Sequence, residues 1–316
     1  MKLEKEKAIK NFINKRPKCD IAFGYGSGVF VQKGYTSTAT PQIDLILGVE
    51  DFNAWHQENI KNNPGDYSDT LRKNITSPLT KLGVPIVYQN YIQDQNYQFK
   101  VGTIETKAML NDIKTYSSNF FNGRLQKPVY LIQSTPEFDK LIERNHDWGY
   151  ELATFLMSSD IYTKNQLYQT IYKLSYIGQL RNLGFEDKNK CKNTLDNQQE
   201  LFDNMYAKYF AGTTSGYYLT RDIKDSLVQL LDLPISYSKE TKKLIKDCIW
   251  NPDERKILYL RKMLIDYLKQ MNRDTEVILA VKQLLLDPKT SLTYTLNKRK
   301  KYLNSKSPYD IIKSRK

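Results

Sequence analysis

Residues Ile21–Val49 read IAFGYGSGVFVQKGYTSTATPQIDLILGV. Two short apolar runs, Ile21–Tyr25 and Ile43–Val49, are joined by a Gly-Ser-Gly turn and a polar loop. Both runs have the length and composition of strands. The turn carries glycine where a backbone takes positive φ or approaches something closely, a ligand phosphate being one candidate. Asp44 opens the second run between Ile43 and Leu45, so its side chain leaves the strand on the face opposite to theirs. A carboxylate so placed suits a metal ion; it also suits an ordinary turn.

Working outward, 316 residues are enough for a substantial core and roughly two domains. Hydrophobic residues at 40% and aromatics at 12% indicate a globular chain. A formal charge of +13 points to an anionic partner, whether nucleic acid, nucleotide or acidic membrane surface. Cys19, Cys191 and Cys248 have no CxxC or Cys/His spacing, so neither a zinc site nor a disulfide framework is indicated, and reduced thiols are expected. With only His56 and His146, a histidine-rich metal site or a Ser-His-Asp hydrolase is disfavoured. No apolar run approaches the length of a membrane span, and MKLEKEKAIK lacks the apolar core of a signal peptide.

Along the chain, Ala8, Ile9, Phe12 and Ile13 predict a short amphipathic helix over Lys5–Asn14 that Pro17 ends. Asp51 is placed to cap a helix through Phe52, Trp55, His56, Asn59 and Ile60, stopped by Pro64-Gly65. His56 and Asn59 share a face, either reaching a ligand or, as a histidine beside Trp55 more commonly does, serving the packing. Val84–Tyr91 and Tyr97–Ile104 read as strands around a Gln93–Asn96 turn, and Thr103–Tyr116 as a helix. In FFNGRLQKPVYLI, Phe120–Ile132, Arg124 and Lys127 flank a Gly-to-Pro loop, which suits either a polyphosphate or a solvated surface. From about Pro136 helical periodicity takes over, with a long amphipathic helix over Asp253–Met271. From Leu296 the chain is strongly basic with scattered apolar residues, a composition suited to an anionic membrane surface, to RNA or to a solvated tail.

A Gly-Ser turn after one strand and an aspartate opening the next resembles the DNA polymerase β-like nucleotidyltransferases. More specifically, the chain resembles the translocator assembly and maintenance family of mitochondria and some bacteria, which are phosphatidate cytidylyltransferases (CDP-diacylglycerol synthases). The matching pieces run in order: AFGYGSGVF at Ala22–Phe30, QIDLIL at Gln42–Leu47, WHQEN at Trp55–Asn59, DYS at Asp66–Ser68, KVGTI at Lys100–Ile104, NGRLQKPV at Asn122–Val129 and LSYIGQLR at Leu174–Arg181.

The resemblance implies an α+β architecture. A polymerase β-like nucleotidyltransferase domain over 1–135 would be followed by a helical, winged-helix-like domain over 136–290 and a basic C-terminal tail over 291–316. It implies Gly26 and Ser27 against the triphosphate, Asp44 on Mg²⁺, and Lys100, Arg124, Lys127, Tyr176, Arg181 and Lys188 around CTP or the lipid phosphate. Asp44, Lys100 and Arg124 would carry the chemistry. The implied partners are CTP, phosphatidate and an anionic membrane surface, with no nucleic acid. The expected location is the bacterial cytoplasm, peripherally on the inner face of the cell membrane.

This chain departs from the family at Asp66, where His precedes Tyr-Ser, at Gln179 in a Gly-Asp-x-x-Arg segment, and beyond Thr290, where a Gly-rich segment is missing. Rival readings are a nucleotidyltransferase acting on RNA or protein, and an inactive scaffold. Ile46 stands where the wider superfamily places a second acid. A lipid phosphate arrives already ionised, so fewer carboxylates are expected to suffice, with Asp51, Glu186 or Asp187 as candidates for a further ligand.

Overall fold

The computed structural model describes residues 3–30, 42–157, 159, 161–180, 190–210, 219–220 and 222–305. Alternation along the first two apolar runs determines how the sheet divides the molecule. Strands β1 (Ile21–Tyr25) and β2 (Ile43–Val49) pair antiparallel, with Tyr25 opposite Asp44. Strand β2 runs parallel to β4 (Tyr97–Glu105), which pairs antiparallel with β3 (Val87–Asp94), while β5 (Val129–Gln133) pairs antiparallel with β1. The order across the five-stranded sheet is β3-β4-β2-β1-β5, and the fold is α+β.

On one face, Ile43, Leu45, Leu47, Val49, Phe99 and Val101 pack against helices α1 (Leu3–Asn14) and α2 (Phe52–Asn62) through Ile9, Phe12, Ile13 and Trp55. The other face presents Phe23, Ile46 and Ile104 to α4 (Thr106–Thr115) and α6 (Pro136–Leu156). The same apolar cluster continues into α7 (Lys164–Leu174), α8 (Lys190–Met205), α9 (Ile223–Asp232), α10 (Lys239–Trp250) and α11 (Glu254–Leu286). Helix α3 (Asp69–Asn74), the single turn α5 (Asn122–Leu125) and α12 (Pro288–Ser305) complete the α-helices among the described residues. Short strands β6 (Ile161–Tyr162) and β7 (Leu219–Thr220) pair separately.

Local chemistry explains where the helices begin. Asp51 caps α2 by accepting from Ala54 N at 2.9 Å, Thr135 caps α6 ahead of Pro136, and Thr163 with Gln166 forms a reciprocal capping box on α7.

Three expectations are corrected. The helix read over Thr103–Tyr116 starts at Thr106, because residues 103–105 finish β4 against β2 and β3. The Gly-to-Pro segment around Arg124, read as a loop suited to a polyphosphate or to a solvated surface, is a helical turn with Asn122, Gly123 and Leu125 buried. The helix read to Met271 runs on to Leu286, since the polar Asn272 is satisfied inside it by donating to Leu174 O at 2.8 Å and Ile177 O at 2.9 Å.

That extension carries α11 back to the sheet. Gln283 Nε2 donates to Tyr88 O at 2.8 Å and its Oε1 accepts from Tyr88 N at 3.2 Å, while the buried Lys282 donates to the carbonyls of Val84 and Thr80. The basic C-terminal stretch is helical in α12 as far as Ser305, and residues 306–316 lie outside the described residues. No helix among the described residues is long and apolar enough to cross a membrane.

Candidate active site

The end of β1 and the start of β2 meet at one end of the sheet's interior strands, and the turn leaving β1 sits against that junction. Gly26 takes φ 76°, a left-handed value that glycine adopts without strain, and its carbonyl accepts from Val29 N at 3.2 Å and Phe30 N at 3.1 Å. Gly28 is needed for a different reason. A Cβ there would lie 2.0 Å from Gln42 O, so the close approach is to the protein's own backbone at the entry to β2. A Cβ on Gly26 would lie 3.8 Å from Asp44 Oδ2, which places that turn beside the carboxylate.

Asp44 is flanked by Tyr25 on β1 and Lys100 on β4, directly opposite it in register. All three leave the sheet on the face of Phe23, Ile46 and Ile104. Ile46, two residues after Asp44, points to this face but is fully buried in the core, so no second acid is available from it. Lys100 Nζ lies 4.3 Å from the ring centroids of both Tyr88 and Tyr294 and donates to Tyr294 Oη at 3.2 Å.

Burial works against the Lys100 charge, but the neighbouring Tyr294, Asp44 and Tyr88 outweigh it and hold the ammonium above its ordinary value. Burial likewise pushes the Tyr294 phenol up, and the charges of Lys100 and Lys298 overcome this to bring it down to about 8. Tyr25 goes the other way: burial, reinforced by Tyr88 and Asp44, keeps its hydroxyl protonated.

Arg124 joins this group from α5. Its guanidinium lies 5.3 Å from the Tyr25 ring and 3.6 Å from that of Phe120, with Nη1 donating to Phe120 O at 2.7 Å. The turn that carries it is held by buried amides. Asn122 Nδ2 donates to Ile113 O and Asn145 Oδ1, both at 3.0 Å, and Gln126 Nε2 donates to Tyr116 Oη at 3.1 Å. In NGRLQKPV, then, Asn122 and Gln126 build the support and Arg124 and Lys127 are what it presents.

Lys127 belongs to a second cluster. Its Nζ donates to Ser175 Oγ and lies 5.0 Å from the Tyr176 ring, which stacks on Tyr172 at 4.8 Å and 5°. Lys190 approaches Tyr176 to 5.3 Å. Cations around a stacked aromatic pair suit an anionic ligand with a planar base. Thus Gly26, Asp44, Lys100 and Arg124 come together, Lys127 and Tyr176 form a neighbouring group, and Ser27 lies in the turn beside Gly26. Arg181, Lys188, Glu186 and Asp187 lie outside the described residues.

Asp51 is spent as the cap of α2, beyond the opposite end of β2 from Asp44. His56 and Asn59 prove to be packing residues. His56 Nδ1 meets Tyr67 Oη at 2.7 Å, Asn59 Nδ2 donates to Tyr67 Oη at 3.1 Å and to Asp66 Oδ2 at 3.2 Å, and Asp66 is clamped by Arg16 at 2.8 and 2.9 Å. Tyr25, Tyr88 and Tyr294 are site residues that the sequence reading did not single out. Tyr25 was in plain view before the glycine turn; nothing in the sequence linked Tyr294 to Lys100.

Among the described residues, no three His, Cys, Asp or Glu side chains gather into a metal cage. Asp44 stands alone, half-buried, with a carboxylate that takes no hydrogen bond from a described residue. A donor set of one carboxylate fits Mg²⁺ when substrate phosphates supply further oxygens, which is the ion's common mode in nucleotide sites.

Comparison with known proteins gives this arrangement a context. Residues 7–301 match the family described as phosphatidate cytidylyltransferase, mitochondrial. Curated proteins of that description are similar to the chain. The one from Dictyostelium discoideum is 31% identical over 225 residues, covering 64% of this chain and 53% of the relative. The Schizosaccharomyces pombe protein is 34% identical over 192 residues, 59% of this chain and 48% of its own length. The Homo sapiens protein is 27% identical over 253 residues, 76% and 56% respectively. The chain spans about half the length of these relatives. With a family match over nearly its whole length, the chain belongs to the mitochondrial phosphatidate cytidylyltransferase family.

Proposed function

We propose that this protein is a CTP:phosphatidate cytidylyltransferase, forming CDP-diacylglycerol and pyrophosphate. The observation that carries the reading is the convergence of Asp44, Lys100 and Arg124 beside the Gly26 turn, in a chain of this family. In this reading the five-stranded sheet and its helices are a polymerase β-like nucleotidyltransferase unit over 1–135. The helices that follow to residue 290 form the winged-helix-like partner.

The chemistry is a phosphoryl-centre displacement. A phosphatidate oxygen, already ionised, bonds to the α-phosphorus of CTP while the bond to the bridging oxygen breaks and pyrophosphate departs with that electron pair. No side chain has to remove a proton from the nucleophile, which accords with a single carboxylate and a buried Ile46. The Gly26–Ser27 turn would bind the triphosphate, and Lys100 and Arg124 would stabilise charge accumulating on the transferring and leaving groups. Lys127 beside Tyr176 would hold a second phosphate or the base. Arg181 and Lys188 remain candidates for the same anions. Asp44 would hold Mg²⁺, which supplies charge neutralisation at the phosphates. A lipid substrate and a basic C-terminal sequence support a peripheral position on an anionic membrane surface, which in this reading would be the inner face of a bacterial cell membrane.

The direct test incubates the protein with radiolabelled CTP, phosphatidate and Mg²⁺ and extracts the product into chloroform. Lipid-soluble label that disappears in Asp44→Ala is the expected result; no label from folded protein that binds CTP would turn attention to RNA and protein acceptors.

A further inference from the structure

Lys100 is a long, flexible side chain, and such a group is useful to a reaction only if its ammonium is held where charge appears. Here it is held by two aromatic rings that are far apart in the sequence. Tyr88 comes from β3, next to Lys100's own strand; Tyr294 comes from α12, 194 residues beyond Lys100. Of the three N–H donors of the ammonium, Tyr294 Oη takes one, which leaves two for substrate oxygens.

The approach of α12 is itself built. Strand β3 has an irregular register between Gln89 and Ile92, and Tyr91 there takes φ 63°. Asn297 Nδ2 donates to the Tyr91 hydroxyl at 3.0 Å, and the Tyr91 and Tyr294 rings lie 6.5 Å apart. At the other end, Ser291 Oγ donates to Gln283 O at 2.8 Å, fastening the start of α12 to α11. Helix α12 is thus tied on both sides of Tyr294.

We propose that Tyr294 is a positioning residue that holds Lys100 for the transferring phosphates, so that α12 is a working part of the active site. This inference rests on the phosphate-transfer reading of the site given above. It assigns α12 a role in catalysis that is separate from anything its basic surface does.

The experiment uses the whole 316-residue chain and two readouts. First, acylation of Lys100 by an amine-reactive ester, followed by mass spectrometry, is expected to be about tenfold faster in Tyr294→Ala than in wild type. Tyr294→Phe, which keeps the ring, retains most of the protection and covers the case in which the alanine variant misfolds. Equal labelling rates in wild type and both variants overturn the clamp.

Second, in CDP-diacylglycerol formation Tyr294→Ala is expected to lower kcat about tenfold while leaving the KM for CTP nearly unchanged, with Tyr294→Phe restoring most of the rate. Unchanged kcat, or a faster enzyme, overturns the positioning role; the second result would make Tyr294 a plug. Wild-type protein that forms no CDP-diacylglycerol would reject the proposed reaction, while the labelling result would still decide whether Tyr294 holds Lys100.

Discussion

Two carboxylate–cation pairs sit on opposite faces of the same sheet, and they are built to opposite specifications. Arg16 and Asp66 meet through two short hydrogen bonds, with side-chain exposures of 5% and 7%. Asn59 adds a further donor to Asp66, and Phe12 covers the guanidinium at 3.3 Å. Nearly every direction around that pair is used. Asp44 and Lys100 face each other across two strands, yet Asp44 takes no hydrogen bond from a described residue, and Lys100 gives one, to Tyr294. A pair that completes itself holds a fold; a pair that leaves oxygen and N–H groups over is suited to a ligand that completes it.

The largest effect that could break this comparison is at Asp44. Asp44→Ala is expected to reduce CDP-diacylglycerol formation about a thousandfold or more, while the melting temperature moves by less than about 3 °C. An equally inactive but strongly destabilised variant would place Asp44 in the structural class with Asp66. The converse substitution, Arg16→Ala, strands a buried carboxylate and should cost about 3 kcal/mol in urea unfolding. Turnover per folded molecule should then stay at the wild-type level, and a specific loss of turnover would put the Arg16 network in the site.

A smaller effect sharpens the case for Lys100. A Cβ on Gly102 would come within 2.7 Å of Ile86 Cδ1 and 2.8 Å of Tyr88 Cε1, so Gly102→Ala pushes on one wall of the lysine clamp. It should cost about 1–2 kcal/mol and lower the rate as well. A fully active variant would mean that the Tyr88 ring is dispensable.

A further effect, set by pH, concerns His56. Burial holds its imidazole far down, at about 3, so in acid the unfolded chain takes up this proton before the folded one does. Its stabilising contribution is therefore complete above the usual histidine value near 6.5 and is lost as pH falls toward 3. The urea-midpoint difference between wild type and His56→Gln should accordingly shrink between about pH 7 and about pH 4.5. A constant difference would mean that His56 is not held neutral by the fold.

Much of the sheet could be read because its signals are local. Alternation around Asp44 told which face each neighbour buries, and the glycine turn announced the junction with β1. Reading failed where the deciding contact is distant. Glu105 passes from strand to helix without glycine or proline, so Ile104 falls in phase with the helical stripe of Met109 and Ile113. Asn272 looked like the end of a helix because its two acceptors, Leu174 O and Ile177 O, lie about a hundred positions earlier. The same distance hid Tyr294, whose surroundings in sequence advertise positive charge and say nothing of a tyrosine turned inward onto a lysine.

The fastening of Gln283 to Tyr88 has a consequence for the behaviour of the protein in a crowded cell. Strand β3 is the outermost strand on its side of the sheet, and its outer backbone groups are the kind that recruit a stray strand from another molecule. A single side-chain amide engages both the N–H and the carbonyl of Tyr88, imitating the neighbour that the sheet lacks. A chain cut before α11, or caught during synthesis before α11 has emerged, would leave this edge uncovered and prone to aggregate.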